Sequence, residues 1–165
     1  MLFDPLNCCR ILVIDDDRGT HELLRRMLCS RSPMPCFEID SAYQGQKGLD
    51  LIERSLQENR PYSLAFVDVR MPPGWDGIET SRKILEIYCD IQLIICSAYS
   101  DHSWEEMVKK FGHSDCIVVL RKPFEKIEVV QLVINLTAKW RVKQQAKLRI
   151  ENLEKLVRDL LANAG

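Results

Sequence analysis

The sequence has no apolar run that approaches the roughly 18 residues a membrane-spanning helix needs. Its first residues, MLFDPLNCCR, have neither the basic start nor the apolar centre of a secretory signal peptide. The formal net charge is −1, so there is no excess of positive charge that would favour nucleic acid or an anionic membrane surface. These absences predict a soluble, cytoplasmic protein without membrane contacts.

The cysteines have no C-x-x-C pair, the spacing expected of a structural zinc site. There are seven, an odd number: Cys8, Cys9, Cys29, Cys36, Cys89, Cys96 and Cys116. Most lie in or beside apolar segments, so we expect mostly buried, reduced thiols that pack as small hydrophobic side chains.

Histidines are also scarce. His21, His102 and His113 have no partners at metal or catalytic spacing, and we expect them at the surface or at helix ends. The C-terminal part contains neither a helix-turn-helix pattern nor a basic stripe, so we expect no contacts with nucleic acid in this chain.

Five short apolar segments alternate with segments of helical periodicity. The apolar segments are residues 9–14, 36–42, 62–67, 91–97 and 116–120. Four are almost continuously hydrophobic, as expected of strands buried on both faces, whereas 36–42 alternates and is typical of an edge strand. Between them, THELLRRML places Leu23, Leu24, Met27 and Leu28 on one helical stripe. The alternation predicts an α/β, doubly wound domain with a five-stranded parallel sheet.

Polar side chains follow four of the five predicted strands. They are Asp15, Asp16 and Asp17 after the first, Asp68 after the third, Ser97 after the fourth, and Arg121 and Lys122 after the fifth. The carboxyl ends of parallel strands meet at one edge of a doubly wound sheet, where such folds bind ligands. We expect Asp17 to cap the following helix and Arg121 to face solvent, which leaves the others for a site.

Carboxylates gathered at one edge repel one another and favour a hard divalent cation with oxygen ligands, for which Mg²⁺ is the usual choice. One lysine and one hydroxyl beside the metal would hold an anion. The combination indicates chemistry on a phosphoryl group, with a carboxylate as the acceptor.

Four stretches, ILVIDDD, FVDVRMPPGWDG, CSAY and RKPF, resemble in order and spacing the motifs of response-regulator receiver domains of two-component signalling. The resemblance spans residues 10–127. It implies a flavodoxin-like sheet of order 2-1-3-4-5 and a signalling module that is not itself an enzyme. A sensor histidine kinase or a phosphotransfer protein would be its partner.

For the metal, the resemblance implies that Asp16 and Asp68 bind Mg²⁺, that Asp15 assists through water, and that the backbone carbonyl of Arg70 adds a ligand. For the phosphoryl group, it implies that Asp68 is the acceptor and Lys122 pairs with the phosphoryl oxygens. It also implies that Ser97 bonds one phosphoryl oxygen and that the bond from Lys122 to Pro123 is cis.

Two departures from the family pattern concern the switch and the loop after Met71. Val119 is aliphatic where receivers often have an aromatic side chain that moves on phosphorylation, so Tyr99 or Trp104 is a candidate substitute. The turn after Met71 is one residue longer than usual, and Asp76 is expected to cap the helix that follows.

The C-terminal part from residue 125 to about 163 has neither glycine nor proline. A continuous helix of that length would extend about 58 Å, whereas a domain of 125 residues is about 35 Å across. We therefore expect residues 1–124 to form the receiver and 125–165 an extended helix, a coiled-coil linker to an output module beyond this chain. Apolar residues at 4-3-4-3-4 spacing predict a parallel homodimer: Ala146, Ile150, Leu153, Val157, Leu160 and Ala164. The apolar pattern upstream has a different phase, and the change lies near residues 143 and 144.

The output module and two other functions stay open at this point. The sequence resembles the N-terminal part of larger bacterial regulators, whose output module either makes or degrades cyclic-di-GMP or is a histidine kinase. One alternative is a phosphatase of the haloacid-dehalogenase type, although Arg70 occupies the place of its general acid. The other is a degenerate receiver that serves only as a dimerisation scaffold.

Overall fold

Five strands and five helices alternate along the residues that the structure, a computed structural model, describes: 8–29, 36–98, 104–112 and 114–164. The strands are β1 (Cys9–Ile14), β2 (Phe37–Ala42), β3 (Leu64–Asp68), β4 (Gln92–Ser97) and β5 (Ile117–Arg121). The helices are α1 (Arg18–Leu28), α2 (Gly45–Gln57), α3 (Gly77–Ile87), α4 (Trp104–Phe111) and α5 (Lys126–Asn163). Among these residues no helix combines the length and apolar content that crossing a bilayer requires.

The strands form one parallel sheet of order β2-β1-β3-β4-β5, which confirms the predicted fold. The central strands β1, β3 and β4 are almost wholly buried because helices cover both of their faces. Edge strand β2 is partly buried, as its alternating pattern predicted. The expectation for the fifth segment was wrong: residues Ile117 to Val119 are only partly buried, because β5 is the other edge.

The apolar side chains form a core on each face of the sheet. On one face Leu24 of α1 and Val133 of α5 pack with Phe66 of β3. On the other face Ile52 of α2 and Ile84 of α3 belong to a second cluster with strand side chains. The sheet is therefore held between two helical layers.

The thiols are less buried than the sequence predicted. All seven cysteines are free, and Cys9, Cys96 and Cys116 are buried. Three others are exposed and lie outside the strands: Cys29 at the end of α1, Cys36 before β2, and Cys89 after α3. Proximity to an apolar run therefore did not predict burial of these side chains.

Helix α5 begins on the receiver and leaves it. Val129, Val133 and Leu136 pack in the core on one face of the sheet and Trp140 is also buried, whereas the side chains after Gln144 are exposed. The helix is continuous through residues 143 and 144, where the apolar pattern changes phase. Its length of 38 residues corresponds to about 57 Å, so its last turns extend beyond the domain, as predicted.

Asp90, in the turn before β4, attaches α5 at the point where it leaves the domain. Its carboxylate is 7% exposed and pairs with Lys143 Nζ at 3.0 Å and with Lys147 Nζ. Gln144 Nε2 also donates to this carboxylate, at 3.3 Å. Burial raises the pKa of Asp90, but hydrogen bonds from Lys147 and Lys143 outweigh burial and lower the pKa to about 2.

We expect Asp90→Asn to lower the melting temperature at pH 7 by about 2–4 °C. Both lysines are half exposed, so we discount the ion pairs to about 1 kcal/mol of unfolding free energy. The folded pKa of Asp90 lies below its ordinary value of 3.8. Its contribution is therefore complete above about pH 4 and is lost as the pH falls through about 2. Thermal melts of the wild type and of Asp90→Asn test this: the difference between their melting temperatures should be present at pH 7 and disappear at low pH.

Asp115→Asn is the matched control, because Asp115 also pairs with a lysine of α5 but its side chain is 88% exposed. We expect little change in melting temperature for this variant. A loss for Asp115→Asn equal to that for Asp90→Asn would contradict the role assigned to the buried carboxylate.

Candidate functional site

The first carboxylates of the site follow β1. Asp15 is buried and its backbone N–H donates to the carbonyl of Ala42 at the end of β2, which fixes it at the edge of the sheet. Asp16 is exposed. Asp17 caps α1, accepting hydrogen bonds from Gly19 N at 3.1 Å and Thr20 N at 3.2 Å, as the sequence predicted.

Asp68 is the last residue of β3 and is 9% exposed. One carboxylate oxygen, Oδ2, accepts a hydrogen bond from the backbone N–H of Arg70 at 3.0 Å. The loop then passes through the cis Pro72–Pro73 bond and returns at Gly77, whose N–H donates to the carbonyl of Val69. Strand and loop together hold the Asp68 side chain at the rim.

The start of α3 lies directly against the backbone of Asp68. A Cβ atom on Gly77 would lie 2.1 Å from the Asp68 carbonyl oxygen and 2.9 Å from Cα of Val69. Only glycine permits this close approach of two backbone segments. Asp76 caps α3 by accepting from Glu79 N at 2.7 Å, which confirms the predicted cap.

Lys122 reaches the same rim from the end of β5. Its Nζ lies 2.7 Å from Asp68 Oδ1 and 2.9 Å from Asp15 Oδ2. The bond from Lys122 to Pro123 is cis, as expected, and the backbone N–H of Lys122 donates to the carbonyl of Ser97 at 2.9 Å. One ammonium group thus bridges carboxylates from two different strands.

The carboxylates of Asp15, Asp16 and Asp68 form one cluster, with ligand oxygens all within 4.8 Å of one another. Three carboxylates beside one ammonium leave a formal charge of −2, which a divalent cation would balance. Their oxygens are the hard ligands that Mg²⁺ prefers. The donor set therefore fits Mg²⁺.

Burial and neighbouring charges shift the acid–base properties of this pocket. Burial raises the pKa of Asp68 and the Asp15 carboxylate adds to the effect, while the hydrogen bond from Lys122 opposes both. Burial lowers the pKa of Lys122, but its hydrogen bonds to Asp68 and Asp15 outweigh burial and leave the pKa raised. The lysine therefore stays charged, and the carboxylates favour an additional cation.

Ser97 is buried close to this pocket, but its hydroxyl donates to the carbonyl of Ala98 at 3.0 Å. Val119 is partly buried and packs against a small cluster that contains Val69 and Ile95. Tyr99 and the side chain of Trp104, the predicted substitutes for an aromatic switch, lie outside the described residues.

His21 is a residue of this region whose position the sequence analysis predicted wrongly. It is 3% exposed, not at the surface: Nε2 lies 2.7 Å from the carbonyl oxygen of Asp15, and Nδ1 lies 2.9 Å from Ser41 Oγ. The available signal was helical spacing, since His21 shares a face with Leu24 and Leu28, both buried. That same face leaves Leu23, expected in the stripe, 38% exposed.

A family model, the response regulator receiver domain, matches residues 11–134. The match covers more than half of the chain and includes the whole carboxylate pocket. The chain belongs to the response regulator receiver family. Receivers are generally signalling modules and not enzymes. They typically bind Mg²⁺ at an acidic pocket and interact with histidine kinases or phosphotransfer proteins.

Individual response regulators and receiver domains are also similar to this chain. The response regulator MprA of Mycobacterium sp. (strain KMS) is 33% identical over 121 residues, 73% of this chain and 47% of that protein. The two-component transcriptional regulator AraC of Clostridium phytofermentans ISDg superposes with a TM-score of 0.66 at 28% identity, covering 84% of this chain and 98% of that chain. A CheY-like receiver domain protein of Methanospirillum hungatei JF-1 has the same fold, with a TM-score of 0.67 at 20% identity. The match covers 82% of this chain and 98% of that chain. The chain spans about half the length of the curated relatives it matches.

Proposed function

We propose that this receiver is a phosphoacceptor in a two-component or phosphorelay system in the cytoplasm, phosphorylated on Asp68. Its donor is a sensor histidine kinase or a phosphotransfer protein. The observation that carries the proposal is the position of Lys122 Nζ, which bridges Asp68 and Asp15 beside a third carboxylate. The proposal is supported because the proposed acceptor carboxylate, the ammonium group of Lys122 and the carboxylates that would hold a metal share one pocket.

In the proposed reaction an oxygen of Asp68 attacks the phosphorus atom of the donor. The new acyl–phosphate bond forms as the bond from phosphorus to the donor histidine nitrogen breaks, and that nitrogen keeps the electron pair. Lys122 transfers its ion pair from the Asp68 carboxylate to a phosphoryl oxygen. Ser97 exchanges the hydrogen bond that its hydroxyl donates to the carbonyl of Ala98 for one to the phosphoryl group.

Asp15, Asp16, Asp68 and the backbone carbonyl of Arg70 are the residues that would hold Mg²⁺. When bound, Mg²⁺ neutralises negative charge on the phosphoryl oxygens. The protein contributes a rigid arrangement: Asp15 is fixed by β1 and β2, and Asp68 by β3 and the Arg70 N–H.

The arrangement disfavours a phosphatase of the haloacid-dehalogenase type. Such an enzyme needs a general acid near the acceptor, and Arg70, two residues after Asp68, cannot release a proton at neutral pH. The acyl phosphate should therefore hydrolyse slowly. The scaffold alternative is also disfavoured, because a degenerate receiver has no need of an intact lysine and carboxylate pocket.

Incubation of the full chain with acetyl phosphate and Mg²⁺ tests the proposal. Intact-mass spectrometry should show one phosphoryl group per chain, stable in acid and labile in alkali, with slow release of inorganic phosphate. Rapid multiple turnover would favour the phosphatase, and no labelling would favour the scaffold.

The whole protein is proposed to be larger than this chain. Residues 1–124 would form the receiver and 125–165 the helix that transmits its state to an output module, for cyclic-di-GMP turnover or a histidine kinase. The chain's coverage of only about half of its relatives' length supports a module beyond it. Attachment of α5 through Trp140, which donates to Tyr88 Oη at 2.8 Å, supports transmission from the receiver to the helix.

The projecting part of α5 is proposed to form a parallel homodimer. Its seam residues are exposed on the isolated chain: Ile150 by 55%, Leu153 by 61%, Val157 by 53% and Leu160 by 61%. The β-branched Ile150 and Val157 occupy a positions and the leucines d positions of a heptad, the pattern that favours two parallel strands.

The double variant Leu153→Glu/Leu160→Glu should convert a dimer to a monomer, because it places charges at two d positions that the dimer would bury. Light scattering at tens of micromolar measures the mass. Leu148→Glu is the control, since Leu148 is similarly exposed, at 57%, but lies outside the seam. A monomeric wild-type chain, or equal dissociation by both variants, would contradict the seam.

A further inference from the structure

Two free thiols meet where the first two strands of the sheet begin. Cys8 immediately precedes β1, Cys36 immediately precedes β2, and their Sγ atoms lie 3.3 Å apart. Cys36 is exposed and Cys8 is partly exposed, so small reagents reach the pair. The carboxylate pocket lies at the opposite ends of these strands, and the thiols have no part in it.

Strand pairing keeps the two cysteines side by side. β1 and β2 are parallel and in register, beginning with Cys9 opposite Phe37, so Cys8 and Cys36 occupy the preceding pair of positions. Neighbouring strands lie about 4.8 Å apart, within the Cα separation that a disulfide spans. Cys9 and Phe37 point into the core, and the alternation of side chains directs the two thiols to the other face.

A layer of ion pairs next to the thiols fixes this register. Arg10, two residues after Cys8, lies 3.5 Å from Glu38 and 2.7 Å from Asp40 on the neighbouring strand. Arg60 adds a 2.7 Å contact to Glu38. A shift of either strand by one residue would separate these charges, so the sulfur atoms are held adjacent before any oxidation.

We propose that Cys8 and Cys36 are a modification site that forms an intrachain disulfide when the protein meets a small disulfide oxidant such as oxidised glutathione. One thiolate attacks a glutathione sulfur, forming a mixed disulfide and releasing one glutathione thiolate. The second cysteine attacks the protein sulfur of that mixed disulfide and releases the second. The two thiol protons go to the glutathione thiolates, so two electrons pass from the cysteines to glutathione.

The order of the two steps follows from exposure. Cys36 is the more exposed sulfur and meets the oxidant first, and Cys8 then closes the disulfide. Burial raises the pKa of Cys8 to about 11, and Cys36 adds to the effect, so little Cys8 thiolate exists at neutral pH. Closure is therefore slow, and an equilibrium redox titration is a better measurement than a short pulse.

The disulfide would join residues 28 positions apart and enclose all of α1. It would restrict the unfolded chain while leaving strands that are already adjacent in place. The oxidised protein should therefore melt about 5–10 °C higher than the reduced protein. The thermal stability of the receiver would then depend on the thiol redox state of its surroundings.

The test equilibrates the full chain in glutathione buffers of increasing oxidised fraction, blocks free thiols by alkylation, and maps peptides by mass spectrometry. Cys8→Ser and Cys36→Ser each remove the disulfide. In Cys8→Ser the glutathione adduct should remain on Cys36. Cys89→Ser is the matched control, because Cys89 is also an exposed thiol but lies in the turn after α3.

The expected result is one disulfide, between Cys8 and Cys36, in the wild type and in Cys89→Ser, with the predicted rise in melting temperature. The proposal is overturned if equilibration yields only mixed disulfides, or if the peptide map pairs Cys36 with Cys29. An intrachain disulfide that persists in Cys8→Ser would also overturn it.

Discussion

Asp68→Asn should abolish phosphoryl labelling by acetyl phosphate. The neutral amide provides no carboxylate oxygen to attack phosphorus, and the other carboxylates near Lys122 are tied to different roles. Asp15 pairs with Lys122, and its Oδ1 accepts a hydrogen bond from Asp17 N. We expect a loss of at least about 100-fold in labelling, measured by intact-mass spectrometry after equal incubation.

The folded state of Asp68→Asn should survive, so the loss cannot be explained by unfolding. Burial raises the pKa of Asp68, which means that its ionised form is less stable in the folded protein than in the unfolded chain. This loss of folding stability applies at pH values above the ordinary pKa of the carboxyl group, where the side chain is ionised in the unfolded chain. A neutral amide removes it. The melting temperature at pH 7 should therefore stay constant or rise.

Asp17→Asn is the matched control from the same acidic stretch. Asparagine caps a helix about as well as aspartate, and its single carbonyl oxygen can keep one of the two backbone contacts, from Gly19 N or from Thr20 N. Labelling should remain close to that of the wild type. Equal labelling of Asp68→Asn and Asp17→Asn would place the acceptor elsewhere in the chain.

Gly77→Ala should have the second large effect, although the new group is a single methyl. Its Cβ would lie 2.1 Å from the carbonyl oxygen of Asp68 and 2.7 Å from the carbonyl carbon, so α3 or the end of β3 must move. Backbone displacement of this kind costs about 2–3 kcal/mol, which corresponds to about 5–10 °C in melting temperature. Because the displaced atoms belong to Asp68, the labelling rate should also fall at least about tenfold.

Gly74→Ala, in the same loop, separates this close contact from a general requirement for glycine. A Cβ on Gly74 would meet only Gln44 Oε1, at 3.0 Å, the end of a flexible side chain. We expect nearly unchanged stability and labelling. If thermal melts show Gly77→Ala to be as stable as Gly74→Ala, the close packing of α3 on Asp68 is not rigid.

The central part of the fold could be predicted from the sequence because burial on both faces leaves a continuous apolar pattern. The bounds of β1 were predicted to the residue, β3 begins two residues and ends one residue later than predicted, and β4 begins one residue later. The edge position of β5 was not visible in its own pattern, since a strand's place in the sheet depends on its neighbours. The resemblance to receivers supplied that order.

Within the site, the types of residue could be predicted, but side-chain conformations and local contacts could not. Strand ends brought Asp15, Asp68 and Lys122 together as expected. The hydroxyl of Ser97 turns to its neighbour's carbonyl, and sequence carries no information on such a rotation. His21 was misplaced because a polar side chain on a buried helical face is recognised only when its partners are known.

Locating the phosphoryl group is the most direct test of the claim that these carboxylates form an acceptor site with a divalent cation. The full chain would be incubated with acetyl phosphate with and without Mg²⁺, reduced with borohydride to mark acyl phosphate, and mapped by peptide mass spectrometry. The account predicts a mark at Asp68 alone, and only when Mg²⁺ is present. A mark at another residue, or equal marking of Asp68 without a divalent cation, would contradict it.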